Sequence, residues 1–215
     1  MLLFVYEYLI SFIYILRCKT VEVVKNFNLE AFASKPWFIQ AQAVTAYLPE
    51  TRNYCVSARY KIRDSPTLLR YTVDVINQAY DSSKTDLQQG NLCAVQSGDE
   101  PAKLTVAPCF IPSIFGGPFW VVGYDEGEGY ALISGGQPSH PTGDGLCTNG
   151  SSANDAGLWI FTRKQERDEM LLTKSMNQLK DMGFDTGVLN AVDQTDCPSL
   201  DGIENLPHWI DNEKD

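Results

Sequence analysis

The sequence predicts an all-β protein, an eight-stranded antiparallel up-and-down β-barrel with one C-terminal α-helix packed outside. Three observations lead to this prediction. Eight runs with a strand-like apolar period of about two follow one another between residues 37 and 164. Turn-forming residues separate most of these runs, as in a meander that closes on itself. A single convincing amphipathic helical segment follows the last run.

The strand-like runs begin at Trp37, where the apolar period changes. We place them at residues 37–47, 53–63, 69–79, 86–96, 102–110, 119–125, 129–135 and 157–164. The turn residues between them include Pro49, Ser65-Pro66, Ser82-Ser83, Gly98, Gly116-Gly117 and Gly127. Because short turns join most of the runs, we expect neighbours in the sequence to be neighbours in the barrel.

Two helical segments are expected outside these runs. A short helical turn before Trp37, capped by Asn26 or Asn28, would seal one end of the barrel with Leu29 and Phe32. The long helix runs from about Glu166 to Met182 and ends at Gly183. Its apolar stripe, which should pack on the outer wall of the barrel, consists of Leu172, Met176 and Leu179.

The connection from Gly135 to Gly157 is much longer than a usual hairpin loop. It is rich in Gly, Pro, Ser, Asn and Asp, and Cys147 in its middle is expected to fix it in place. Such a loop is either functional or a tolerated insertion, and the sequence leaves both open.

Trp37, Asp125 and Arg163 are the residues that a small closed barrel needs at its floor. Trp37 lies on the first strand, Asp125 in the tight turn between two later strands, and Arg163 on the last strand. The guanidinium of Arg163 can stack on the indole and donate hydrogen bonds to backbone carbonyls. This triplet indicates a container, and therefore binding before catalysis.

The net charge of −10 excludes one class of partner. No basic stripe is present that could contact phosphates, so nucleic acid is not an expected partner. From Asp193 to the end there are seven acidic residues against one lysine, which is typical of a solvated acidic tail. No metal site, cofactor or catalytic residue is predicted, because the six cysteines form no close pair and the two histidines lie far apart.

An even number of widely spaced cysteines favours disulfides and therefore an oxidising compartment. The sequon at Asn149 agrees with exposure in the secretory pathway. Residues 1–17 form a hydrophobic signal or anchor segment, although the run lacks a basic start and contains Glu7. We therefore divide the chain into this segment, a barrel domain at 18–198 and an acidic tail at 199–215.

Seven short stretches, in order, give the chain a resemblance to the lipocalins, most of all to the branch of apolipoprotein D and the bacterial outer-membrane lipocalins. They are FNLE at 27–30 with Trp37-Phe38, NYCVSARY at 53–60, EPAKLTV at 100–106, FWVVGYD at 119–125, YALI at 130–133, LWIFTR at 158–163, and GFDT at 183–186 with VDQTDCP at 192–198. The sequence departs from the family in three places. Lys35 stands where the family has Gly, the family's Thr-Asp-Tyr turn reads Tyr124-Asp125-Glu126, and the Gly135–Gly157 loop is extra.

The resemblance implies two disulfides, Cys55–Cys197 and Cys18–Cys147. Cys93 and Cys109 remain and lie on successive strand runs, so we expect a third bridge, Cys93–Cys109. The expected disulfides favour an oxidising location, either secreted or in a lumen such as that of the secretory pathway or the thylakoid and plastid. Membrane association through Met1–Leu16 is an open alternative.

Strand alternation selects the residues expected to face the barrel interior. If Arg163 reaches Trp37 at the floor, the side chains two and four positions away on the same strand also point inward, and the cysteine at 55 must point outward. The expected cavity residues are Ile39, Ala41, Ala43, Val56, Ala58, Tyr60, Trp159 and Phe161. An apolar pocket of this kind suits a fatty acid, sterol, retinoid or carotenoid.

The first functional hypothesis is therefore a binding protein and carrier for a small hydrophobic ligand. A second is a cavity enzyme of the xanthophyll de-epoxidase type, for which Tyr60 is available but no acid on the expected inward face. A third is an accessory subunit of a membrane complex of the photosynthetic type, held by Met1–Leu16. No Ser/His/Asp or Cys/His nucleophile set is visible.

Overall fold

A computed structural model describes residues 18–152 and 154–198 of the chain. The predictions for the N-terminal segment and the acidic tail therefore lie outside the described residues. The helices are α1 (Leu29–Ala33) and α2 (Glu169–Asp181). The strands are β1 (Trp37–Ala43), β2 (Tyr54–Ile62), β3 (Val73–Tyr80), β4 (Leu87–Gln96), β5 (Lys103–Ala107), β6 (Gly117–Asp125), β7 (Tyr130–Ser134), β8 (His140–Gly143), β9 (Leu146–Thr148), β10 (Leu158–Thr162) and β11 (Leu189–Ala191).

Eight of these strands form the predicted closed antiparallel barrel. Strands β1 to β7 pair with their sequence neighbours, β10 pairs with β7, and β10 returns to pair with β1. The predicted fold is thus confirmed. The long connection between β7 and β10 contains the small β8–β9 hairpin, which the sequence did not predict.

Strand β11 and the residues after it close the seam between β1 and β2. These two strands pair directly only through Trp37 and Phe38, and β11 lies against the other half of β1. The side-chain amide of Gln194 donates hydrogen bonds of 2.8 Å to the carbonyls of both Ile39 and Val56. The segment around Gln194 therefore replaces the ladder hydrogen bonds that the two splayed strands do not make with each other.

Helix α2 packs on the outer wall as the apolar stripe predicted. Its N-cap is Asp168, whose side chain accepts hydrogen bonds from the first turn, and Leu172 and Leu179 are buried. A Cβ on Gly123 of β6 would lie 3.1 Å from the Gln178 side-chain nitrogen, so glycine there allows the helix to come close. Tyr130 of β7 donates a 3.0 Å hydrogen bond to Gln178. None of the helices in the described part of the chain is long and apolar enough to cross a bilayer.

Candidate functional site

The floor of the barrel is built around Trp37 and Arg163. The guanidinium carbon lies 3.6 Å from the centre of the indole ring, which is fully buried. The indole nitrogen donates a 2.9 Å hydrogen bond to the carbonyl of Phe32, in the short helix α1. Arg163 donates to the carbonyls of Ala31, at 2.8 Å, and Lys35, at 2.6 Å. The single arginine thus fixes α1 as a plug in one end of the barrel.

The acidic partner of Arg163 is Glu126, which sequence reasoning missed. Its carboxylate accepts hydrogen bonds from the Arg163 side chain at 2.9 and 3.2 Å and from the Tyr124 hydroxyl at 2.8 Å. Asp125 lies within the turn itself, where it accepts a 2.9 Å hydrogen bond from the backbone of Glu128. Of the predicted triplet, Asp125 therefore shapes the turn that presents its neighbour to Arg163. The departure from the family's turn motif at this position was the available signal.

The ion pair changes the pKa values of the groups at the floor. Burial acts to raise the pKa of Glu126, but hydrogen bonds from Arg163 and Tyr124 and the charge of Arg163 together hold it below its usual value. Burial, together with the hydrogen bond to the Glu126 carboxylate and its charge, raises the pKa of Tyr124 to about 12. Both shifts keep Glu126 ionised and Tyr124 protonated near neutral pH.

An aromatic cluster lies directly above this floor. The ring centres of Phe32 and Tyr60 are 4.9 Å apart, and those of Tyr60 and Phe119 are 6.0 Å apart. Phe161 is 6.4 Å from Phe119 and 6.2 Å from Trp37. These tilted contacts fill the closed end of the barrel, so the interior becomes hollow only above Tyr60, Phe119 and Phe161.

The interior above the aromatic cluster is a cavity of about 430 Å³. Six of the eight residues predicted to face inward line it: Ile39, Val56, Ala58, Tyr60, Trp159 and Phe161. The opposite wall, for which no residues were predicted, comes from β3 to β6 and includes Val75, Ala79, Leu92, Val106 and Phe119. The same alternation would have identified most of these residues, since they occupy every second position of their strands.

Ala41 and Ala43 do not line the cavity, and a β-bulge is the reason. Ile39 is opposite Phe161, but Ala41 is opposite Ile160, so one extra residue stands on β1 between these two pairs. The extra residue reverses the phase of the strand. Gln42, opposite Trp159, faces the cavity in place of the two alanines, and Ala43 borders a depression on the outside of the barrel.

Gly157, two residues before Trp159, leaves the space that the Trp159 ring occupies at the open end of the cavity. A Cβ on Gly157 would lie 1.8 Å from the Trp159 ring, and the φ of Gly157 is +115°. Only glycine combines this backbone conformation with room for the indole. The ring therefore covers the position that a side chain at 157 would occupy, and it lines the cavity together with Tyr47, Phe115 and Ala156.

The structure contains three disulfides, which join Cys18 to Cys147, Cys55 to Cys197 and Cys93 to Cys109. These are the three pairs expected from the sequence. The first attaches the N-terminal arm to β9, whose Cys147 also exchanges backbone hydrogen bonds with Gly183 and Asp185 beyond α2. The long β7–β10 connection is thus fastened to the outside of the barrel, although Ala156 near its end lines the cavity.

Asn149, the predicted glycosylation site, is only partly accessible. Its side-chain amide nitrogen donates hydrogen bonds to the Ser134 hydroxyl at 3.2 Å and to the Gly136 carbonyl at 3.1 Å. A glycan on that nitrogen would replace one of the two amide hydrogens. A glycan would therefore remove one of these two hydrogen bonds, and glycosylation of Asn149 stays a prediction.

The barrel resembles solved structures at low sequence identity. Apocrustacyanin C2 matches with a TM-score of 0.58 and 16% identity, over 86% of this chain and 94% of that chain. Lobster apocrustacyanin A1 matches with a TM-score of 0.56 and 15% identity, over 84% and 91%, and the cockroach allergen Per a 4 with 0.55 and 13%, over 83% and 95%. The fold is the lipocalin fold.

At these identities the likeness concerns the lipocalin fold alone. No protein-family model matches the sequence, and no curated protein matches it. The lipocalin fold nevertheless has a physical consequence, because an eight-stranded barrel is just wide enough to hold one small molecule. In this chain the cavity above the aromatic cluster is the space available for it.

Proposed function

We propose that this protein binds and carries a small hydrophobic molecule in the barrel cavity. The observation that carries the proposal is a cavity of about 430 Å³ with a mostly apolar wall. That volume falls within the roughly 300–1,000 Å³ of small-molecule sites. Burying a hydrocarbon skeleton there removes apolar surface from water on both partners, which is the main favourable contribution to such binding.

The chemistry of the wall supports binding over catalysis. The described residues that line the cavity include no Asp, Glu, His, Lys, Arg or thiol. A de-epoxidase-type reaction needs an acid beside the substrate, and the described lining offers only the phenols of Tyr47 and Tyr60. A passive container is what these side chains support best.

The compartment in which this protein acts is also a proposal. Three disulfides fit an oxidising compartment, such as the extracellular space or an organelle lumen. The resemblance of seven short stretches to the branch of apolipoprotein D and the bacterial outer-membrane lipocalins supports the proposed role of carrying a lipophile. Fatty acids, sterols, retinoids and carotenoids remain the candidate classes.

Replacing Trp159 with alanine tests the proposal. We expect the dissociation constant for retinol to rise about tenfold or more, because the variant removes a large apolar contact at the cavity entrance. Titration of retinol fluorescence measures it. Trp120→Ala is the matched control, since Trp120 is absent from the cavity lining and is covered by Lys103 at 4.4 Å. Equal affinities for retinol in the wild type and Trp159→Ala, with both proteins folded, would contradict the proposed site.

A further inference from the structure

The wall of the cavity carries no formal charge in the described part of the chain. Its polar side chains are amides, hydroxyls and phenols, contributed by Gln42, Tyr47, Ser57, Tyr60, Asn77, Gln78, Gln88 and Asn154. Arg163, which lies in the floor below the cavity, already pairs with Glu126 and donates to backbone carbonyls. The described lining residues therefore offer no cation to a ligand that reaches the bottom of the cavity.

An ionised ligand group would lose its hydration on entering this cavity. Burying an unpaired carboxylate is far more costly than burying a neutral hydroxyl or carbonyl, for which one hydrogen bond offsets most of the desolvation. An acid could avoid this cost only by keeping its head group in water at the entrance. The uncharged wall thus favours neutral ligands over ionised ones, independently of ligand shape.

The closed end does offer one hydrogen-bonding group. Tyr60 is 7% exposed and lines the cavity, and its hydroxyl has no hydrogen-bond partner among the described residues. Burial raises the pKa of Tyr60 above its usual value, so the phenol remains protonated and can donate as well as accept. A ligand oxygen can therefore supply the hydrogen-bond partner that the described part of the protein does not.

Gln42, which follows the bulge in β1, is a second polar residue in the cavity wall. Its side-chain nitrogen donates a 2.6 Å hydrogen bond to Asn53, and its side-chain oxygen has no partner. This oxygen is buried with almost no accessible area, so a ligand in the cavity does not reach it, and as an acceptor it cannot neutralise an anion. Of these two residues, Tyr60 is therefore the one whose polar group suits a neutral ligand oxygen.

We propose that the cavity selects uncharged lipophiles with a hydroxyl or carbonyl oxygen that reaches Tyr60 at the closed end, and discriminates against ionised fatty acids. The inference rests on the proposed function, since it specifies the ligand class of the same cavity. It requires two separate results, a preference for neutral ligands and a dependence on the Tyr60 hydroxyl.

The first test compares three ligands with the same sixteen-carbon chain. Diphenylhexatriene, a neutral fluorescent hydrocarbon, is bound first and then displaced by hexadecanol, methyl palmitate or palmitate at pH 7.5, below the concentrations at which they form micelles. We expect hexadecanol and methyl palmitate to compete at least about tenfold better than palmitate. Palmitate competing as well as its methyl ester would overturn the inference and leave the proposed function intact. Failure of diphenylhexatriene and of all three competitors to bind would contradict the proposed function itself.

The second test removes one oxygen atom. Tyr60→Phe should weaken displacement by hexadecanol about three- to tenfold and leave the affinity for diphenylhexatriene unchanged, because only the alcohol can use the hydroxyl. The variant breaks no hydrogen bond within the described protein, so it should fold, and urea denaturation verifies this.

Tyr130→Phe is the matched control for this second test. It removes a hydroxyl that bonds Gln178 beneath α2, outside the cavity, and should alter neither affinity. A loss of equal size for hexadecanol and diphenylhexatriene in Tyr60→Phe would show that Tyr60 acts only through packing. No loss for hexadecanol would show that the hydroxyl does not contact the ligand. Either result overturns the assignment of Tyr60.

Discussion

The two ends of this barrel are built on opposite principles. At the closed end, Trp37 is fully buried and aromatic rings pack against one another. Arg163 donates hydrogen bonds to four backbone carbonyls and pairs with one carboxylate. At the open end, Tyr47 and Phe115 border the cavity yet are 48% and 62% exposed. The contrast separates two tasks, because the closed end stabilises the fold and the open end leaves a ligand room to enter.

Truncation of Trp37 should produce the largest loss of stability. Trp37→Ala removes a buried indole, the surface on which Arg163 stacks and the hydrogen bond to Phe32, so we expect the free energy of unfolding to fall by about 3–5 kcal/mol. Urea denaturation followed by far-UV circular dichroism measures this. Trp159→Ala at the open end serves for comparison and should cost clearly less. If the two variants lose equal stability, the division between the two ends is wrong.

Removal of the Cys55–Cys197 disulfide should have the next largest effect. The bond links residues 142 apart, next to the seam that Gln194 closes, whereas Cys93–Cys109 links residues 16 apart. Replacing both cysteines of the long-range pair with alanine should cost roughly 2–4 kcal/mol. The same change in the short-range pair should cost roughly 1–2 kcal/mol less, because a longer loop restricts the unfolded chain more.

Chemical denaturation of the two double variants under non-reducing conditions provides the comparison. A larger loss from the short-range pair would mean that local packing around Cys93, rather than chain entropy, dominates. It would also mean that the seam beside β1 needs no covalent support. The remaining two disulfides in each variant are verified by mass spectrometry, so that rearranged bonds do not enter the comparison.

Neutralising Glu126 should have the smallest effect and a defined pH dependence. The carboxylate is 36% exposed, so Glu126→Gln should cost less than about 1 kcal/mol near pH 7. The folded-state pKa of Glu126 lies below its usual value of 4.5. The stability from the pair is therefore fully present above about pH 4.5 and is lost as the pH falls through the lower, folded-state value.

Denaturation midpoints between pH 3 and 7 test this linkage. We expect the wild type to lose more stability than Glu126→Gln at the acidic side of this range. Asp125→Asn is the matched control, because Asp125 accepts a backbone hydrogen bond within the turn, whereas Glu126 is the acid that pairs with Arg163. Parallel curves for wild type and Glu126→Gln would show that the ion pair does not contribute to the floor.

Local sequence patterns were sufficient for much of the molecule. The cap at Asn28, the stripe of Leu172 and Leu179 on α2, and the stacking of Arg163 on Trp37 follow from residue type and spacing. Alternation also placed Ile39, Tyr60 and Phe161 in the cavity wall correctly. These features depend on periods of 2 and 3.6 residues, which a sequence displays directly.

Other features depended on contacts between distant segments. The bulge after Ile39 changed the cavity residue from Ala41 to Gln42, and alternation cannot reveal a bulge because the extra residue is indistinguishable in the sequence. Glu126 and Gln194 were missed for a similar reason. Each makes its decisive hydrogen bonds to residues 37 or more positions away, so strand and helix periodicity could not identify their partners.

By itself, therefore, the sequence determined the class of fold, the closed floor and the presence of an interior with mixed small and aromatic residues. Only the tertiary structure decided which side chains face that interior, which acid pairs with Arg163 and how the seam between β1 and β2 is closed. The physical reason is that residue identity and period set local conformation, whereas a bulge, a salt bridge or a buried amide depends on which segments meet. The uncharged cavity wall also depends on which segments meet, and the competition between neutral and ionised ligands tests it.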